Sequence, residues 1–165
     1  DTDKKIVTDL IDDFCKEFVL HQNKTVMFYH DHTSIHSNAG SLASFADLVT
    51  GAFRQNAWQV VPKYIGQQPK HHVRYLMWCE VLKEKNPKYT PVRFHLDNCY
   101  SLLNALQLCD VRQGKNGFEK DKRPEVRKDY PQENAPHLTD ALDTLYIGCC
   151  EMNMGTTANF TSLIF

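Results

Sequence analysis

The chain has 165 residues, a formal net charge of −1 and 42% hydrophobic residues. That length suits one domain, and the composition excludes a disordered or low-complexity chain. No run approaches the roughly 18 consecutive apolar residues of a membrane-spanning helix, so we predict no membrane association. The balanced charge excludes a strongly basic surface, and any contact with nucleic acid must come from a local cluster of basic residues.

Helices and strands alternate along the first two thirds of the chain. Apolar residues at helical spacing predict an amphipathic helix over 3–20, and a β-branched and aromatic run predicts a strand over 25–33. The pattern then predicts a helix over 41–56, a strand over 57–66 whose Pro62 favours an edge or a bulge, and a helix that starts near Pro69. A third strand over 91–97 and a helix over 98–109 follow.

The last third of the chain is more polar. Gly and Pro interrupt any long element between 110 and 136, and the run HLTDALDTLYIGCC predicts a final helix. We expect a tail or lid-like extension over 149–165. The alternation predicts an α/β fold, a mixed sheet with helices on both faces, within a single domain over 1–165.

The six cysteines lie in apolar segments, and none forms a C-x-x-C pair. This pattern argues against a zinc ribbon or a disulfide scaffold and favours a reducing, cytoplasmic compartment.

Four acidic residues stand out: Asp31 in the first predicted strand, Asp97 at the end of the third, and Asp140 and Asp143 on one face of the last helix. A fold that gathers these carboxylates must compensate their repulsion with cations, and clustered oxygen ligands suit Mg²⁺ or Mn²⁺. Two such ions can drive phosphodiester hydrolysis. Simpler interpretations are a helix cap for Asp97 and a solvated position for Asp143. An acidic residue inside an apolar strand is costly to bury without a partner, so we interpret Asp31 as a functional residue.

A zinc site built from His30, Asp31, His32 and His36 is an alternative. Strand alternation weakens it, because His30 and His32 would lie on one face and Asp31 on the other. The basic residues between 110 and 129 fit either a phosphate-contacting loop or a solvated loop of mixed charge. The phosphate-binding loop of NTPases, the dinucleotide fingerprint and the esterase nucleophile motif are all missing from the sequence.

The runs FYHDHT, WQVVPKYIGQQPKHHVRYLMW, VRFHLDNC, DKRPE and HLTDALD occur in that order. Together they resemble the C-terminal nuclease domain of the large terminase subunit of tailed bacteriophages, from about residue 24 to about residue 148. The resemblance implies a ribonuclease H-like fold that cleaves double-stranded DNA concatemers with two divalent metal ions, Mg²⁺ or Mn²⁺. Strands one to three of that family form an antiparallel hairpin, whereas here the helix-like segment 41–56 separates two strands.

By position, the resemblance makes Asp31, Asp97 and Asp140 the catalytic acids and metal ligands, with Asp143 as an auxiliary ligand. The residues expected to grip the DNA backbone are Lys63, Lys70, Arg74, Lys120, Lys122 and Arg123. The helix over 1–20 would join an absent ATPase domain of the same full-length chain. Expected partners are the portal protein and the small terminase subunit, in the cytoplasm of a bacterial host. A catalytically silent docking module of the packaging motor and a resolvase- or transposase-like nuclease are the alternatives.

Overall fold

The computed structural model describes residues 7–37, 43–115, 117–131, 135–151 and 163–164. The fold is mixed α/β, with α-helices and small sheets, as the sequence predicts. Its contacts divide the chain into two compact units, residues 1–68 and residues 69–165. Within the described ranges, no helix is both long enough and apolar enough to cross a membrane.

The first unit is built around a parallel pair of strands. Its elements are α1 (Val7–Glu17), β1 (Thr25–His30), a short 3₁₀ helix (His32–Ile35), α2 (Phe45–Gln55) and β2 (Gln59–Tyr64). β1 and β2 are paired from Thr25 opposite Gln59 to His30 opposite Tyr64. Parallel neighbours need a long crossover connection, and α2 lies in that connection.

The core of the first unit lies between α1, α2 and β2. Trp58 is 6% exposed and packs with Phe53 of α2 and Phe14 of α1, with ring centroids 5.5 Å apart for Phe14 and Trp58. α2 begins with a capping box, in which Ser44 accepts from the Asp47 amide and Asp47 accepts from the Ser44 amide. This start fixes the direction in which the chain returns to β2.

The second unit contains the remaining elements. These are α3 (His71–Lys83), β3 (Val92–Arg93), α4 (Tyr100–Leu108), β4 (Val111–Gly114), β5 (Gly117–Lys120), α5 (Arg123–Val126), α6 (His137–Tyr146), a π turn (Ile147–Glu151) and β6 (Leu163–Ile164). β4 and β5 form an antiparallel hairpin, and β3 pairs in parallel with β6. α3 packs on β5, and α4 packs on α6.

The last helix is the most deeply buried element of the second unit. Tyr146 and Asp143 of this helix are 0% exposed, and the Tyr146 ring packs against Trp78 of α3 at 5.0 Å between centroids. The Tyr146 hydroxyl donates to the Thr90 carbonyl at 3.1 Å, so this buried polar group is satisfied. α6 is therefore held firmly between α3 and α4, with Asp140 and Asp143 along its length.

Most predicted helices are confirmed, with shorter bounds. The third strand was predicted too long: β3 covers only Val92–Arg93, and the chain then turns towards α4. The segment 110–136 was predicted as a loop, but it contains the β4–β5 hairpin and α5. Gly117, at φ +120°, supplies the backbone conformation at the turn of that hairpin. Of the expected tail, 152–162 and 165 lie outside the described residues.

Candidate functional site

Asp31 lies immediately after β1, at the carboxyl edge of the parallel pair, and not inside the strand as predicted. Its Oδ1 accepts from the Thr33 amide at 3.0 Å and from the Thr33 hydroxyl at 2.6 Å, as the N-cap of the 3₁₀ helix. Its Oδ2 accepts from the Gln68 amide at 3.0 Å. These donors are uncharged, so they orient the carboxylate without neutralising it.

The same edge collects the chain that follows β2. The His32 amide donates to the Gly66 carbonyl at 3.0 Å, and the Ile65 amide donates to the His30 carbonyl at 2.9 Å. Gly66 has φ +79°, a conformation that glycine adopts without strain. In parallel α/β sheets, ligands bind at the carboxyl ends of the strands. Asp31 is thus fixed at the place in this unit where a ligand is expected.

In the second unit, five charged side chains form one cluster, which we call the α6 cluster: Arg74 of α3, Lys120 of β5, Lys122 and, from α6, Asp140 and Asp143. The sequence predicts that Asp140 and Asp143 share a face, and the structure confirms it, since both contact Arg74 and Lys120. Lys122 also pairs with Glu125 at 3.7 Å, so three cations face three carboxylates and the formal charges balance.

Asp143 is sealed inside the protein. Its side chain is 1% exposed, and its Oδ2 accepts from Arg74 at 2.7 Å and from Lys120 at 2.8 Å. Its Oδ1 accepts from the indole nitrogen of Trp78 at 2.6 Å. A buried carboxylate is tolerated only when it is paired and hydrogen-bonded in this way. Asp143 therefore joins α6 to α3 and β5.

Asp140 lies one turn earlier and reaches solvent, with 26% of its side chain exposed. Lys122 donates to its Oδ2, and Lys120 donates to its Oδ1 at 3.2 Å. Burial by itself would raise the pKa of Asp140, but the hydrogen bonds and charges of Lys122 and Lys120 outweigh it and hold the pKa below its ordinary value. Asp140 is therefore a charged carboxylate at neutral pH.

His71 extends the cluster at the start of α3. Its Nδ1 accepts from the Arg74 guanidinium at 2.8 Å. Burial lowers the pKa of His71, and the charges of Arg74 and Lys122 lower it further, so the ring is neutral at pH 7. His71 lines a cleft of about 220 Å³ with Lys70, His72, Gly117, Phe118 and Glu119.

The remaining predicted site residues are not among the five charged side chains of the α6 cluster. Asp97 is exposed in the turn before α4, whose N-cap is Cys99, so Asp97 does not end a strand or begin the helix as predicted. Arg123 is occupied by Asp121, and hydrogen bonds from the Arg123 side chain and backbone lower the pKa of Asp121 to about 2. Lys70 is exposed at the start of α3, and Lys63 is half-buried on β2.

The donor chemistry fits a divalent metal ion at some of these residues. Asp31 and Asp140 carry carboxylate oxygens, the ligands that Mg²⁺ and Mn²⁺ prefer, and both are partly accessible. Asp143 does not fit as a ligand, because its oxygens are closed in by Trp78, Arg74 and Lys120. The hydrogen bond from Trp78 to Asp143 is signalled by no spacing in the sequence.

The histidines near Asp31 differ in their burial and in their contacts. His30 is buried, with its Nδ1 2.8 Å from the Ser34 hydroxyl, whereas the Nε2 atoms of His32 and His36 lie 3.1 Å apart on the surface. Among the described residues, no group of three or more His, Cys, Asp or Glu side chains is arranged to hold a metal ion. The predicted zinc site of four residues is therefore reduced to one close histidine pair.

Comparison of the chain with protein-family models, curated proteins and solved structures gave no match.

Proposed function

We propose that this chain is a metal-dependent endonuclease of the ribonuclease H-like type, the nuclease domain of a phage terminase large subunit that cuts double-stranded DNA. The observation that carries the proposal is the state of Asp140: a charged, partly exposed carboxylate, held by two lysines on a helix with four buried residues. The resemblance implies a catalytic acid at this position. Asp31, fixed at the carboxyl edge of β1 by uncharged donors, supports the same proposal.

The resemblance assigns Asp31, Asp97 and Asp140 as the residues that would hold the metal ions, and the proposal keeps that assignment. Bound Mg²⁺ or Mn²⁺ would supply an activated water and would stabilise the leaving 3′ oxygen. Asp143 is a positioning residue, because it fixes Arg74 and Lys120 against α6. Lys120 and Lys122 keep Asp140 ionised and oriented towards solvent.

Two accessible lysines, one in the α6 cluster and one at the neighbouring cleft, suit contact with a DNA phosphate. Lys122, 41% exposed, and Lys70 at the cleft are the basic residues best placed to meet a phosphate without losing a buried partner. Arg74 is 7% exposed and pairs with Asp143 inside the protein. Its contribution to the site is therefore made through Asp143 and not through contact with DNA. Contacts of this kind bind the DNA backbone and do not recognise the base sequence.

We expect the domain to act as part of a DNA-packaging motor. The partners are double-stranded DNA, the ATPase domain of the same full-length chain, the portal protein and the small terminase subunit, in the cytoplasm of the bacterial host. β1 and β2 run parallel, with α2 in the connection between them, whereas the terminase nuclease family has an antiparallel hairpin. The proposal therefore rests on the acidic residues and their surroundings and not on strand order.

One observation favours a second candidate, a catalytically silent docking module. Both oxygens of Asp140 and of Asp143 already accept hydrogen bonds from nitrogen donors of the protein, which is the arrangement of a structural ion-pair network.

Digestion of a supercoiled plasmid by the purified chain separates the two candidates. A nuclease nicks or linearises the plasmid with Mg²⁺ or Mn²⁺ and is inactive in EDTA, and Mn²⁺ raises its Tm because the folded state binds the ion. A docking module shows neither cleavage nor a metal-dependent change in Tm, and that pair of results would overturn the proposal.

A further inference from the structure

A pair of histidines lies beside the parallel strands, on the 3₁₀ helix that Asp31 caps. His32 opens the 3₁₀ helix and His36 follows its end, so one turn of chain places their rings on the same side. Their Nε2 atoms are 3.1 Å apart, and both side chains are exposed. Solvent reaches this pair, so an ion can enter from water without displacing any part of the fold.

The two ring nitrogens lie at a distance that suits either a hydrogen bond between them or a shared ion. The Nε2–Nε2 separation of 3.1 Å is that of an N–H···N hydrogen bond. The ring planes of His32 and His36 are at 90° and the ring centroids are 4.6 Å apart. Two histidine nitrogens bound to one metal ion, each about 2.0–2.1 Å from it, are roughly 3 Å apart. The observed separation agrees with that value.

The outer contacts of His32 also match those of a metal ligand. Its Nδ1 lies 3.3 Å from the hydroxyl of Tyr64, the last residue of β2. Ligating histidines are commonly held through their other ring nitrogen in this manner, which fixes the tautomer and the ring orientation. The Tyr64 hydroxyl therefore contacts the ring nitrogen of His32 that does not face His36.

We propose that His32 and His36 form a two-histidine site for a divalent transition-metal ion, with the remaining coordination positions open to water or to an incoming ligand. Imidazole nitrogens prefer Zn²⁺, Ni²⁺ or Cu²⁺ to the hard ions Mg²⁺ and Mn²⁺. This site differs in ligand chemistry from the carboxylates of the proposed nuclease, and it stands whether or not the chain cuts DNA.

The test is a titration of the untagged, metal-free chain with Ni²⁺, an ion that binds imidazole and is a poorer match than Zn²⁺ for the six thiols. Calorimetry gives the affinity and stoichiometry, and paramagnetic broadening of backbone amide signals locates the ion. We expect one ion per chain, with broadening centred on residues 31–36. His32→Gln and His36→Gln should each weaken binding at least about tenfold, since even outer-shell changes cost 10–100-fold.

The matched control is His21→Gln, which alters another exposed histidine of the same unit. Broadening centred elsewhere would overturn the site. So would affinities unchanged by His32→Gln and His36→Gln, an equal loss in His21→Gln, or no binding at millimolar Ni²⁺. Because the titration contains neither DNA nor Mg²⁺, its failure is distinguishable from failure of the proposed nuclease. The wild-type broadening does not depend on how the variants fold.

Discussion

Replacing Asp143 by asparagine removes the charge that holds α3, β5 and α6 together. The Asp143 carboxylate is 1% exposed. Its removal takes an anionic partner from two largely buried cations, Arg74 at 7% exposure and Lys120 at 17%. Removal of one partner of a buried ion pair costs about 3–5 kcal/mol. Asp140 remains 3.2 Å from Lys120 and 3.6 Å from Arg74 and compensates part of that loss, so we expect about 3 kcal/mol.

Thermal and urea unfolding followed by circular dichroism measure this effect. For a chain of this size, about 3 kcal/mol corresponds to a fall in Tm of roughly 6–12 °C. Asp129→Asn is the matched control, because Asp129 forms an ion pair with Arg127 in which both side chains are more than half exposed. We expect the control to leave the Tm within experimental error, since such pairs contribute little.

A double-mutant cycle identifies the cause of the loss. Arg74→Met combined with Asp143→Asn should be less destabilising than the sum of the two single changes, because neither charge is then left buried without the other. An Asp143→Asn variant as stable as the Asp129→Asn control would refute the reasoning. Strict additivity of Arg74→Met and Asp143→Asn would also refute it.

Three further predictions concern stability. Wild type should lose stability as the pH falls below about 4, the ordinary pKa of an aspartate, because the pKa of Asp140 is lower in the folded state and its contribution is lost as the carboxylate is protonated. Asp140→Asn should flatten this part of a urea-unfolding series. Ser44→Ala should cost about 0.5–2 kcal/mol by removing the cap of α2, whereas Ser101→Ala, at an exposed position of α4, should cost less in the same urea assay. Ala57→Gly should raise the Tm, because Ala57 has φ +62°, a conformation that costs a non-glycine residue about 1 kcal/mol; a lower Tm would contradict this.

The sequence predicts the helices well because the residues at apolar spacing are the ones that each helix buries. The period in α1 and α2 corresponds to the buried residues Ile11, Cys15, Val49 and Phe53. The hairpin of β4 and β5 was missed because its strands have four residues each and no apolar alternation. Short strands of this kind depend on their packing against α3, which no local pattern encodes.

Only part of the candidate site could be predicted from the sequence, again because local patterns do not encode tertiary contacts. Spacing three residues apart on a helix is a local property, so the shared face of Asp140 and Asp143 could be predicted. Their partners Arg74 and Lys120 come from distant parts of the sequence, and only tertiary packing brings these cations to the carboxylates. The ion pairing that distinguishes a sealed Asp143 from an accessible Asp140 was therefore beyond sequence reasoning.

The most direct test of the nuclease proposal is the initial rate of plasmid cleavage with saturating Mn²⁺, compared among wild type, Asp31→Asn, Asp140→Asn and the Asp129→Asn control. Loss of a metal ligand should remove several kcal/mol of transition-state stabilisation, so we predict that Asp31→Asn and Asp140→Asn each lower the rate at least about 100-fold. The control should cleave at the wild-type rate. Cleavage by folded Asp31→Asn or Asp140→Asn at the rate of the control would contradict the account.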